Sequence, residues 1–177
     1  MRLRVCDALA IQACLLCGHA SLLDTIMYNL IGFDFLYLGF HVQEQHFSEV
    51  VSADQLQKVL PRAHYLVLAC PLTDETDGIL NATTMALLPR GGYVINVARG
   101  RLVEEAALVD ALESEHLDGA FLDAHVEEPL SPEHPYWSTS GITVIPHDSH
   151  SSPFIGENIV DLFCENLSRY AHGRPLL

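Results

Sequence analysis

From residue 33 onward the chain repeats one unit, a short and nearly uninterrupted apolar run followed by a stretch whose apolar residues recur at helical spacing. Runs of this kind at 33–38 (FDFLYL), 64–69 (HYLVLA), 93–98 (YVINVA), 119–124 (GAFLDA) and 142–146 (ITVIP) read as strands buried on both faces. Between them lie helical patterns. At 52–60 Ser52 is the N-cap candidate, with Leu56, Val59 and Leu60 on one face. The segment 81–88 ends at Pro89 and the Gly91-Gly92 turn, and 103–114 carries acids in its first turn. The last, 153–173, starts at a proline and stops at a glycine. Such alternation predicts an α/β fold, a Rossmann-like parallel sheet with helices on both faces. In such sheets ligands bind beyond the carboxyl ends of the strands.

The 177 residues suffice for one domain with a sizeable core. A net charge of -14, with no cluster of Lys or Arg, argues against nucleic acid, whose binding is dominated by cations on phosphates. The same acidity repels an anionic substrate, so a carboxylate site needs its own local cation. The five cysteines, an odd count in apolar surroundings, read as reduced thiols, and a cytoplasmic location is expected. Cys14-x-x-Cys17 has no second pair to close a tetrahedral site, so no metal is expected. Residues 1–20 faintly copy a secretory signal, but Asp7 and Gln12 interrupt the apolar part. No uninterrupted apolar run reaches the roughly 18 residues of a membrane span.

Polar residues fall at three of the strand ends: Arg99 after 93–98, Asp123 at the end of 119–123 with Glu128 just after it, and His147 after 142–146. Strand ends often carry polar residues merely because they meet water. A cation, a carboxylate and a histidine converging on one crevice, however, make a site for a 2-keto or 2-hydroxy acid. Arg99 would hold the substrate carboxylate and polarise its carbonyl. His147 would pass a proton to or from the oxygen, oriented by Glu128.

The motifs CPLT-x-x-T (70–76), N-x-ARG (96–100), LDA-x-x-x-EPL (122–130) and PH (146–147), in this order and spacing, closely resemble the nucleotide-binding domain of the D-isomer-specific 2-hydroxyacid dehydrogenases. The glyoxylate/hydroxypyruvate reductases look like the nearest subgroup, and the resemblance covers roughly 32–177. It implies an NAD(P)-dependent oxidoreductase that reduces a small 2-keto acid such as glyoxylate or hydroxypyruvate. It places Arg99 at the substrate-binding arginine, Glu128 at the acid paired with the histidine, and His147 at the acid/base. Along the cofactor it places Pro71, Leu72 and Thr73, then Val97 and Ala98 beside the nicotinamide, and Asp123 at the carboxamide; Arg99 and His147 border the same site.

Three departures accompany the resemblance. Residues 1–31 hold no G-x-G-x-x-G loop, with Gly18 and Gly32 too isolated, and read as a degenerate N-terminal segment ahead of a nucleotide-binding domain at 32–177. After 33–38 stand Gly39, Phe40 and His41 in place of the acid that binds the adenosine ribose, which tips the expectation from NAD toward NADP. The family's substrate domain has no counterpart, so the apolar face of 153–173, with Ile159, Leu162, Phe163 and Leu167, needs cover from a second subunit in a homodimer or from residues 8–30. Two readings therefore stay open, an oxidoreductase completed by a further segment or partner, and an inactive truncated fragment with at most weak nucleotide binding.

Overall fold

The computed structural model describes residues 14–18, 35–38, 49–51, 55–149 and 155–177. Seven parallel strands form one sheet: β1 (Cys14–Gly18), β2 (Phe35–Leu38), β3 (Glu49–Val51), β4 (Tyr65–Ala69), β5 (Gly92–Asn96), β6 (Leu117–Leu122) and β7 (Ile142–Val144). Their order is β3-β2-β1-β4-β5-β6-β7. The chain thus winds outward from β1 in one direction and from β4 in the other, and the order reverses between those two neighbours. Such a reversal is the topological switch point at which doubly wound sheets open a ligand crevice.

β1 lies in the middle of the sheet, pairing Cys14 with Phe35 on one side and with Tyr65 on the other. The sequence reading has no strand before residue 33, nor one at 49–51; both are additions. The four later strands lie within two residues of their expected starts. β6 begins at Leu117, ahead of the exposed Asp118, because Leu117 pairs with Gly92 across a register shift in β5. In β4 the three central residues Leu66, Val67 and Leu68 are all buried, as two covered faces require. β5 alternates instead, with Val94 and Asn96 buried and Tyr93 and Ile95 half-buried.

Among the described residues three short helices precede the long one: α1 (Leu56–Val59), α2 (Ala82–Met85) and α3 (Glu105–Glu113). The N-cap candidate Ser52 lies outside the described residues. α2 is held by a reciprocal capping box, in which Asn81 accepts from the amides of Thr83 and Thr84 and the Thr84 hydroxyl accepts from the Asn81 amide. It is shorter than the expected 81–88 because Leu87 and Leu88 donate to the carbonyls three residues back, tightening the last turn. α3 starts at 105 rather than 103 because Val103 is extended and bridges Leu80, and the Glu104 amide donates to the Leu80 carbonyl. Leu108 and Leu112 join Leu102, Leu117 and Ala120 in the buried core. Each leucine so buried contributes about 1.5–3 kcal/mol. Truncating Leu108, which is fully buried, to Ala is expected to cost about 2–5 kcal/mol.

Residues 148–177 form a separate unit containing α4 (Ile155–Ala171). Within it Arg169 pairs with Glu165 one turn earlier, and the Leu177 amide donates to Asn166. Ile159, Leu162, Phe163 and Leu167 are exposed. No helix among the described residues is long and apolar enough to cross a membrane.

Candidate active site

The carboxyl ends of β4, β5, β6 and β7 lie along one edge of the sheet, and every residue singled out by sequence lies in the loops that leave them. After β4 the chain passes through Cys70 into Pro71, Leu72 and Thr73. Thr76 shapes this loop: its hydroxyl donates to the Pro71 carbonyl at 2.8 Å and accepts from the Thr73 amide at 2.8 Å. Leu72 is half-buried against the core, so Pro71 and Thr73 on either side of it are turned outward and exposed.

β5 ends on Asn96, which is buried. Its Oδ1 accepts from the Ala98 amide at 3.0 Å and its Nδ2 donates to the Arg99 carbonyl at 2.8 Å. An asparagine side chain bonding its own backbone two residues on replaces the ladder bonds that the turn gives up. Val97 stays tied to β4, its amide donating to the Leu68 carbonyl at 3.1 Å. Arg99 is exposed. Its Nη1 donates to the Ala98 carbonyl at 2.6 Å, and among the described residues no carboxylate pairs with it. Gly100 follows under tight constraint. A Cβ there would sit 2.1 Å from the carbonyl carbon of His125 and 2.3 Å from the amide of Val126, so only glycine lets the two backbones meet.

β6 leads into Asp123, which is buried, with its amide donating to the Asn96 carbonyl at 2.9 Å. Two residues on, the His125 amide donates to Oε1 of Glu128 at 3.0 Å. After β7, His147 sits in the left-handed region at φ 54°, an unfavourable conformation for a residue with a Cβ. Its Nδ1 lies 2.9 Å from Oε2 and 3.0 Å from Oε1 of Glu128. The His125 amide above all, and then the His147 ring, hold the Glu128 carboxyl below the usual glutamate range, against a smaller opposing effect of desolvation. A carboxylate so placed orients the ring.

Beside this pair opens a cleft of ≈ 550 Å³ whose walls include His125, Leu130, Trp137, Val144 and Pro146. A larger hollow of ≈ 670 Å³, lined by Arg90, Glu113, Glu115 and Asp118, lies at the amino ends of β5 and β6. Parallel sheets place their chemistry at the other end, so size does not decide in its favour.

The structure therefore brings Glu128 and His147 together. Val97, Ala98 and Arg99 share one Asn96-braced turn, with Pro71–Thr73 on the preceding strand's loop and Asp123 on the following one. Among the described residues no hydrogen bond joins Arg99 to Glu128 or His147. Asn96 and Thr76 were visible as letters of the motifs but had no role there, and His125 had neither role nor motif position. The strand order is that of doubly wound, dinucleotide-binding sheets. The turn after β1, where a diphosphate would lie, is outside the described residues. Its sequence after Gly18 has no further glycine before Gly32.

Residues 23–149 match the family model described as D-isomer specific 2-hydroxyacid dehydrogenase, NAD binding domain. A glyoxylate/hydroxypyruvate reductase of Arabidopsis thaliana is 34% identical over 133 residues, 75% of this chain and 39% of that protein. Glyoxylate/hydroxypyruvate reductase A of Photorhabdus laumondii is 33% identical over 159 residues, 88% of this chain and 50% of that one. The chain thus spans half or less of the length of these curated relatives. Among solved structures, a D-isomer specific 2-hydroxyacid dehydrogenase of Xanthobacter autotrophicus in complex with NADPH superposes with a TM-score of 0.81 at 33% identity, covering 93% of this chain and 69% of the other. The NADPH-dependent glyoxylate/hydroxypyruvate reductase of Sinorhizobium meliloti, in complex with NADP and sulfate, gives 0.80 at 30% identity, covering 93% and 54%.

Proposed function

Because the chain belongs to the D-isomer specific 2-hydroxyacid dehydrogenases, through their NAD binding domain, we propose that it forms the nucleotide-binding half of an NAD(P)-dependent reductase of small 2-keto acids, glyoxylate or hydroxypyruvate among them. The observation that carries this reading is the Glu128–His147 pair at 2.9 Å, on the sheet edge that also carries Arg99 with no carboxylate partner among the described residues.

The nicotinamide supplies the hydride, and the chain's own residues supply position, charge and a proton. Arg99 holds the substrate carboxylate; its planar fork matches two oxygens at once, and in an acidic protein it provides the local cation that draws an anion in. His147 has Nδ1 committed to Glu128, so the proton given to the developing alkoxide leaves from Nε2. Glu128 stabilises the imidazolium before that transfer and fixes the ring orientation. Pro71–Thr73, Val97, Ala98 and Asp123 would hold the nucleotide. NADP is favoured over NAD because Gly39, Phe40 and His41 offer no acid to the adenosine ribose, and the two solved relatives described above carry NADPH or NADP.

A second reading, nucleotide binding without turnover, is favoured by one observation, the absence of a G-x-G-x-x-G sequence after β1. Oxidation of NADPH by hydroxypyruvate separates the two. A hydroxypyruvate-dependent rate that disappears in Arg99→Ala supports the reductase. A rate that Arg99→Ala leaves unchanged removes the assigned role, and binding without any rate supports the second reading.

A further inference from the structure

We propose that His125 is a positioning residue that holds both members of the Glu128–His147 pair, an inference that rests on reading that pair as the acid/base couple. Three contacts converge on this one residue. Its amide donates to Oε1 of Glu128 at 3.0 Å, the oxygen that also lies 3.0 Å from Nδ1 of His147. Its ring Nε2 lies 2.9 Å from the Ile145 carbonyl, which accepts in addition from the His147 amide at 3.1 Å. Its backbone is the surface against which Gly100, next to Arg99, is packed.

The protonation pattern of the ring follows from these partners. A carbonyl can only accept, so Nε2 carries the proton. Nδ1 is buried and without a partner among the described residues. A buried nitrogen left unsatisfied is rare and calls for a reason. The reason here is the donor at the opposite side of the ring, which occupies the second lone pair of the Ile145 carbonyl. That carbonyl sits two residues before His147, whose φ of 54° persists only if its surroundings over-determine it. Ile145 is held on both sides, its amide by the Leu122 carbonyl at 3.0 Å and its carbonyl by His125. One residue after β6 thereby fixes the carboxylate through its backbone and the acid/base histidine through its ring, across 20 residues of sequence.

The test is long-range ¹H–¹⁵N spectroscopy of the histidine rings, with ¹³C titration of the Glu128 carboxyl, in the wild type and in His125→Phe and His125→Gln. In the wild type His125 is expected to carry a proton on Nε2, toward the Ile145 carbonyl, with the His147 ring proton on Nδ1. Phe keeps the volume and removes the donor. It is expected to abolish the fixed Nδ1–H signature of His147, while the Glu128 midpoint, held above all by the residue-125 amide that Phe retains, stays below the ordinary glutamate value; Gln, which keeps a side-chain amide donor, restores the His147 signature in part. A packing role alone would leave the His147 signature unchanged in His125→Phe, and that result overturns the proposal. If the Phe variant does not fold, the wild-type ring decides. A proton on Nδ1 instead of Nε2 overturns it. Neither readout needs turnover or nucleotide, so an inactive chain would count against the proposed reductase and not against His125.

Discussion

Nδ1 of His147 and the Glu128 carboxylate, 19 residues apart in sequence, meet at 2.9 Å in a loop-to-loop contact that joins the ends of β6 and β7. The Glu128 carboxyl is held below its ordinary value of 4.5. A depressed carboxylate contributes stability that is fully present above 4.5 and lost as pH falls through the lower folded value. Thermal unfolding should therefore show a stability loss on the acid side that is shallower in Glu128→Gln than in the wild type. Identical acid limbs would mean that the pair contributes nothing to the folded state.

Removing the proton donor tests the same pair by rate. His147→Gln should lower hydroxypyruvate-dependent NADPH oxidation by about 10²–10⁴-fold, the usual contribution of a positioned acid/base group, with little effect on nucleotide affinity. Steady-state kinetics and a binding titration on one preparation check both halves of the statement.

Arg99 is exposed and its hydrogen bond goes to the neighbouring Ala98 carbonyl, so it does little for the fold. Arg99→Ala should leave unfolding free energy within about 0.5 kcal/mol of wild type. Arg99→Lys should also fail to restore turnover fully, because an ammonium cannot reproduce the two parallel bonds of a guanidinium to a carboxylate. Denaturant unfolding and substrate kinetics measure the two effects separately.

Asn96 is the opposite case. It is buried with both its oxygen and its amide nitrogen engaged, so Asn96→Ala leaves the Ala98 amide and the Arg99 carbonyl without their partner. The expected cost is about 1–3 kcal/mol by urea unfolding, together with loss of substrate affinity as the Arg99 turn loosens.

Gly100→Ala would place a methyl 2.1 Å from backbone that cannot move like a side chain. We expect about 3 kcal/mol or more of destabilisation and a displaced His125. Circular dichroism at increasing temperature reports the first, and the Glu128 ¹³C signal the second.

Much of this arrangement was legible because β4 to β7 are apolar runs and Arg99, Asp123 and His147 follow the ends of β5, β6 and β7. β1 escaped notice because CLLCG follows AIQA without a turn residue and lacks the glycine pattern that ordinarily announces it; its place is decided by pairing with Phe35–Leu38 and Tyr65–Ala69, both distant in sequence. β3 has only three residues, too few for any periodicity. His125 was not legible for a related reason. Nothing local distinguishes it from a histidine in a polar loop, and its work is done on Ile145, twenty residues on. Asn96 acts locally and was readable in principle as an asparagine just before a turn.

The most direct test of the account is a titration of the purified chain with NADPH and then NADH, read by energy transfer from Trp137, the single tryptophan of the sequence, which borders the cleft beside His147. The account predicts saturable transfer to the reduced nicotinamide, at lower concentration for NADPH than for NADH, reversed by added NADP. No saturable signal from either nucleotide up to millimolar concentration would contradict it.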